Sequence, residues 1–230
     1  MNERIKLTAA QKRYEMNLSK EDFKKAIFID FEGFMNKPPA LVGYLYDQKF
    51  VQVVFDDALK PAALAKGLPV REGKVEVANL LMLAKYEGRR IVAYTQFDKN
   101  VVFEQFGVDL SPVYADARLI AVKWLRRLKS THPTWWKTHP NWDIEKTLKS
   151  FLELIGYDRP PHLGLEKTTS RIKHVRDQLI RWGSFEKLSP VAKAKWTKLL
   201  DHNSHDVLGM TQLVQRALDG FVPAGRLPNH

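Results

Sequence analysis

Cysteine is absent from the 230 residues, which excludes disulfides, thiolate zinc sites and a cysteine nucleophile. Any metal must be held by oxygen or imidazole. Long apolar runs are missing as well. No stretch approaches the roughly 20 residues of a membrane-spanning helix, and the basic N-terminus lacks the apolar segment of a secretory signal. The expectation is a cytoplasmic protein with no membrane partner. Internal repeats and low-complexity segments are also lacking, which leaves out solenoids and linker-rich chains. What remains is 44% hydrophobic and 27% charged, the composition of a folded globular chain. The length suits one sizeable core.

An excess of acid is the next absence. Lys and Arg number 37 against 26 Asp and Glu, for a net charge of +11. The whole surplus falls between Arg118 and Lys198, where 18 basic residues face 7 acidic ones, and the rest of the chain is balanced. A basic region of this kind suits a polyanion, nucleic acid first, through phosphate contact and counterion release. A solvated basic surface accounts for the same composition.

Along the chain, residues 1–25 read as a tail or a marginal amphipathic helix. Ala26–Glu32 has the apolar, aromatic character of a buried strand. Ala40–Tyr46 and Lys49–Phe55 follow as strands joined by the hairpin-length pair Asp47 and Gln48. Val75–Tyr86 has helical spacing, Arg90–Tyr94 reads as a strand, Asp98–Phe106 as a helix and Val113–Ala117 as a last short strand. Helices are then expected over Arg118–Leu128, Ile144–Ile155 capped by Asp143, Thr169–Trp182, Pro190–Leu200 and Asp206–Leu218. Ser130–Trp142 is a loop by its breakers. The order βββαβαβ followed by helices predicts an α/β sheet with a helical C-terminal part, one domain over residues 26–218 and a C-terminal tail over 219–230.

Asp30 and Glu32 are two residues apart on the first expected strand, so both share one face. Two anions on a strand flanked by Phe28, Ile29 and Phe31 must reach solvent or share a cation. Asp98 and Asp206 each open an expected helix, where N-capping is the plain structural role. The expected topology nonetheless brings the end of the first strand, the turn after the fourth and a late helix to one crevice. Four carboxylates gathered there repel one another unless divalent ions neutralise them, and hard oxygen ligands suit Mg²⁺ or Mn²⁺. Two such ions roughly 4 Å apart can activate a water and stabilise the leaving oxygen of a phosphoryl displacement.

FIDFEG (Phe28–Gly33) resembles the first motif of the DEDD superfamily of 3′-to-5′ exonucleases, which have an RNase H-like fold. VAYTQFDKNVV (Val92–Val102) resembles the second motif and HNSHDVLGM (His202–Met210) the third. YADARLIAVKWL (Tyr114–Leu125) and TLKSFLELIGYDRP (Thr147–Pro160) are similar to connecting elements of the predicted bacterial ribonuclease-H-like exonuclease branch. The resemblance spans about Ala26 to Ala217. It implies an RNase H-like mixed sheet whose second strand is antiparallel. It further implies that Asp30, Glu32, Asp98 and Asp206 bind two Mg²⁺ or Mn²⁺ ions and form, with a base, the catalytic set of a metal-dependent 3′-to-5′ exonuclease. The family's base is a Tyr four residues before the last Asp or a His five before it. Here the fourth is His202 and the fifth Asp201, so His202 takes the tyrosine spacing with histidine chemistry, and His205 competes with it. A histidine at either place can accept a proton from water.

On the substrate side, all six tryptophans, Trp124, Trp135, Trp136, Trp142, Trp182 and Trp196, lie in the basic region. Aromatic faces among Lys and Arg suit single-stranded nucleic acid or a 3′ end. Trp135, Trp136 and Lys137, with Arg126, Arg127 and Lys129 upstream, are the candidate strand contacts, and Lys167, Arg171, Lys173 and Arg176 could line a second basic face. Trp124, Trp182 and Trp196 fall in helical patterns and are expected in the core. Two other readings fit the same residues: a nucleic-acid-binding module that no longer catalyses, and an endonuclease on the same fold.

Overall fold

The computed structural model describes residues 8–34, 36–133, 145–163 and 168–223. Trp135, Trp136, Lys137, Trp142, Asp143 and Lys167 lie outside them.

Five strands form one mixed sheet: β1 Ile27–Gly33, β2 Pro39–Tyr46, β3 Lys49–Val54, β4 Ile91–Ala93 and β5 Tyr114–Asp116, in the spatial order β3-β2-β1-β4-β5. β2 runs antiparallel to both neighbours, and β1, β4 and β5 are mutually parallel. The β2–β3 hairpin closes through Asp47 and Gln48, both with positive φ, as a two-residue turn matched to the sheet's twist requires.

Among the described residues the α-helices are α1 Ala9–Glu15, α2 Lys20–Lys25, α3 Lys60–Leu64, α4 Gly73–Tyr86, α5 Gln96–Phe106, α6 Ala117–Thr131, α7 Leu148–Leu154, α8 Thr168–Trp182 and α9 Pro190–Asp219. The period of two along β1 divides the core. Ile27 and Ile29 join Val42, Val53, Ile91 and Ala93 under α4 and α5, whereas Phe28 joins Val92 and Ala115 under α6, α7 and α9. A third cluster packs Ala40, Leu41 and Val54 against α8 and the first half of α9, around fully buried Trp196, whose Nε1 donates to Ala62 O at 3.1 Å. Asp30 and Glu32 therefore share the α9 side with Phe28.

Four expectations need correction. The helices Pro190–Leu200 and Asp206–Leu218 are one 30-residue helix, α9. Its buried stripe (Ala192, Trp196, Leu199, Asn203, Val207, Met210, Val214, Ala217) never breaks, so tertiary burial overrides the weak helix propensity of the Asp201–His205 stretch. Asp206 consequently lies in mid-helix and caps nothing. Asp98 is not an N-cap either: Thr95 takes that place, accepting from Phe97 N at 3.2 Å, and Asp98 sits in the first turn. The helix expected over Ile144–Ile155 begins, among the described residues, only at Leu148 and runs to Leu154 with Thr147 as its cap, while Asp143 and Ile144 lie outside the described residues. Trp182 is half exposed under the Arg181 guanidinium instead of filling the core, while Trp124 and Trp196 are buried as expected.

Residues 9–25 form two helices, each opened by a capping box. Glu15 and Leu18 are buried, and Glu15 pairs with buried Lys99 of α5. Arg90 holds the connection, donating to Asn17 O at 3.1 Å and Tyr14 O at 3.3 Å. At the other end Phe221 O accepts from Trp124 Nε1 at 3.0 Å. Among the described residues no helix is long and apolar enough to cross a membrane.

Candidate metal centre

At the C-terminal edge of the parallel strands, where β1 ends, β4 gives way to α5 and the middle of α9 crosses the sheet, Glu32 and Asp206 meet beside His202, while Asp30 and Asp98 lie outside that close group but near enough to act on its charge. β1 supplies Asp30 and Glu32 by its alternation, α5 supplies Asp98 from its first turn, and α9 supplies Asp206.

Glu32, His202 and Asp206 can each turn one ligand atom inward so that all lie within 4.8 Å of one another. An octahedral Mg²⁺ with bonds of about 2.1 Å holds its ligands no more than about 4.2 Å apart, so the three would have to draw together by a few tenths of an ångström to serve one such ion. Glu32 and His202 are each only 7% exposed. Burial, then the charge of Asp206, pushes the Glu32 carboxyl up to about 8, against hydrogen bonding from Thr168. Asp30 is also held well above the usual carboxylate range, by burial and then by Glu32, Asp206 and Asp98 in that order. Burial carries Asp98 up to about 7, although backbone N–H groups of its helix turn oppose the shift. Such mutual repulsion in a desolvated place is relieved by a divalent cation. The donor set, carboxylate oxygen with one imidazole, could hold a divalent cation. Glu32 and Asp98 also line a cavity of about 250 Å³ with Phe31, Phe34, Phe97, Val101 and Lys37.

A second layer fixes Asp30. Asn203, fully buried on α9, donates through Nδ2 to Asp30 Oδ2 at 2.8 Å and to Asp30 O at 3.1 Å. Its Oδ1 accepts from Gln52 Nε2 of β3 at 2.9 Å, and the same Gln52 nitrogen donates to Leu200 O at 2.9 Å. Gly43 of β2 is paired directly with Asp30. A Cβ at Gly43 would lie 1.9 Å from Asn203 Oδ1, so only glycine lets the amide reach across β2. The sequence reading missed Asn203, Gln52 and Gly43. The available signal was a polar residue on the apolar stripe of α9, opposite a glycine in mid-strand.

The two histidines part company. His202 Nε2 lies 3.2 Å from Asp206 Oδ2. His205 turns aside, with Nδ1 2.9 Å from the Tyr157 hydroxyl. Arg159, also missed, enters the cluster: its Nη2 lies 3.1 Å from Asp206 Oδ1, 3.0 Å from His202 Nδ1 and 3.2 Å from His202 Nε2.

Among the expected nucleic-acid contacts, Arg126, Arg127 and Lys129 are exposed on α6. Arg171, expected on an exposed basic face, is instead buried: it donates to the carbonyls of Leu163 and Lys198, bracing α8, and its charge acts on Glu32. Lys173 and Arg176 pair with Asp177 and Asp56. Trp135, Trp136, Lys137 and Lys167 lie outside the described residues. No protein-family model, curated protein or solved structure matches the chain.

Proposed function

We propose that the chain is a metal-dependent nuclease on an RNase H-like fold, hydrolysing phosphodiester bonds of DNA or RNA from a 3′ end. The observation that carries this reading is the gathering of Asp30, Glu32, Asp98 and Asp206, from three separate elements, within electrostatic reach of one another beside His202. The strand order with an antiparallel second strand supports the fold assignment, and the basic region supports a polyanionic substrate.

In this reading Asp30, Glu32, Asp98 and Asp206 hold two Mg²⁺ or Mn²⁺ ions, which supply Lewis acidity toward a phosphoryl oxygen and an acidified water. Asn203 keeps Asp30 oriented toward the cluster. His202 positions the attacking water or takes its proton. Exposed Arg126, Arg127 and Lys129 neutralise backbone phosphates.

The test is incubation with 5′-labelled single-stranded DNA and its RNA counterpart under Mn²⁺, Mg²⁺ or EDTA, beside Asp30→Asn. A ladder shortening from the 3′ end, absent with EDTA and in the variant, is expected. Full activity in a folded Asp30→Asn protein would falsify the site. Salt-sensitive binding with no cleavage would instead identify a binding module, and cutting of a closed circular strand an endonuclease.

A further inference from the structure

We propose that Arg159 is the resident counter-ion of the carboxylate cluster, which a divalent cation must displace from Asp206 and His202 in order to bind; this rests on the metal-centre reading above. Arg159 lies on the segment between α7 and α8. Tyr157 anchors that segment to α9 through His205, and Pro160 and Pro161 stiffen it on the other side. The guanidinium is thereby held largely buried against α9, its side chain 17% exposed.

Its contacts occupy the groups a metal needs. Asp206 Oδ1 receives Arg159 Nη2, and Asp206 Oδ2 faces His202 Nε2. The same Arg159 nitrogen lies 3.0 Å from His202 Nδ1 and 3.2 Å from His202 Nε2, so the guanidinium, which only donates, covers the face by which this imidazole would reach an ion. Both oxygens of Asp206 and both ring nitrogens of His202 are engaged.

The tie is also incomplete. Among the described residues Arg159 Nε is buried without a hydrogen-bond partner, and an unmet buried donor is unfavourable. Arg171, whose charge also acts on Glu32, is by contrast tied to two carbonyls. What keeps Arg159 in place is its charge among acids. A divalent ion offers these acids more charge and direct coordination, so the two cations compete and each weakens the other's hold.

The experiment is a Mn²⁺ titration of the full, EDTA-stripped chain without nucleic acid, free Mn²⁺ being followed by electron paramagnetic resonance. Wild type, Arg159→Gln, Arg159→Lys and Asp206→Asn are compared at one pH and ionic strength. Arg159→Gln is expected to tighten Mn²⁺ binding on the order of tenfold, while Arg159→Lys, which keeps the charge, stays within about threefold of wild type. If Arg159→Gln binds like wild type or more weakly, while Asp206→Asn loses binding, the counter-ion role is overturned and the metal centre stands. If no protein binds Mn²⁺, the metal-centre reading fails and takes the proposal with it. Circular dichroism melts establish that each variant folds, and Arg159→Met replaces Arg159→Gln should the latter not.

Discussion

Raising the pH of the metal-free protein from about 5 to about 8 is expected to weaken its fold, because carboxyls raised by burial keep a proton that the unfolded chain gives up. Glu32 moves from 4.5 to about 8, and Asp98 from 3.8 to about 7. Below the lower value of each pair the group is protonated whether folded or not, and it contributes no difference. Between the two values only the unfolded chain loses the proton, so stability falls as pH rises. Above the higher value the loss is complete. At about 1.36 kcal/mol per pH unit, Glu32 alone accounts for up to about 5 kcal/mol. The charges of Asp206 and Asp98 are part of the Glu32 rise, and the rise of Asp98 from its own burial acts in the same direction, so Glu32 alone sets the lower scale. For a chain of this size about 1 kcal/mol moves Tm by roughly 2–4 °C, which places the expected fall at roughly 10–20 °C. Thermal melts in EDTA at several pH values between about 5 and 8.5 read it directly, beside Glu32→Gln, whose curve should be flatter. Mn²⁺ should restore more stability at the alkaline end, since its ligands must be ionised. A level Tm in EDTA, or an equal fall in Glu32→Gln, refutes the argument that these carboxyls are buried against one another.

Gly43→Ala drives a Cβ to 1.9 Å from Asn203 Oδ1 and should cost about 1–3 kcal/mol in urea unfolding. Asn203→Ala added to Gly43→Ala should cost less than Asn203→Ala alone, because both act on one contact. Lys99→Met leaves Glu15 charged and buried without its partner, an expected loss of about 3–5 kcal/mol. Glu15→Leu combined with Lys99→Met should recover most of it; an additive double variant rejects the pair as a coupled unit.

The strands were legible because their signal is local: alternating or continuous apolar runs ended by turn residues, with Asp47 and Gln48 marking the one tight hairpin. The order of the acids was legible for the same reason, since Asp30 and Glu32 advertise a shared face by spacing alone. The unbroken α9 was not, because Asp201–His205 has the local chemistry of a helix end and only the stripe from Ala192 to Ala217, burying both flanks at once, carries the helix through. The burial of Arg171 and the place of Arg159 beside Asp206 were hidden for a related reason. Nothing in the sequence says which arginine meets carbonyls and which meets acids, since both sets of partners come from distant segments. The N-terminal segment read only as a tail or a marginal helix because the partner of Glu15, Lys99, lies 84 positions away.

The continuity of α9 has a consequence for changes in chain length. Asn203, His202 and Asp206 are placed by one rigid rotation about a single axis, keyed at both ends by Trp196 and Met210 in separate core clusters. One residue inserted between Trp196 and His202 would turn everything downstream by about 100°, swinging Asp206 off the cluster or dragging Met210 and Val214 out of their seats. The same insertion between Gly183 and Ser189, before the helix begins, leaves that phase untouched. Length variation tolerated by this protein should therefore concentrate ahead of Ser189 and be absent from the helix between its two hydrophobic keys.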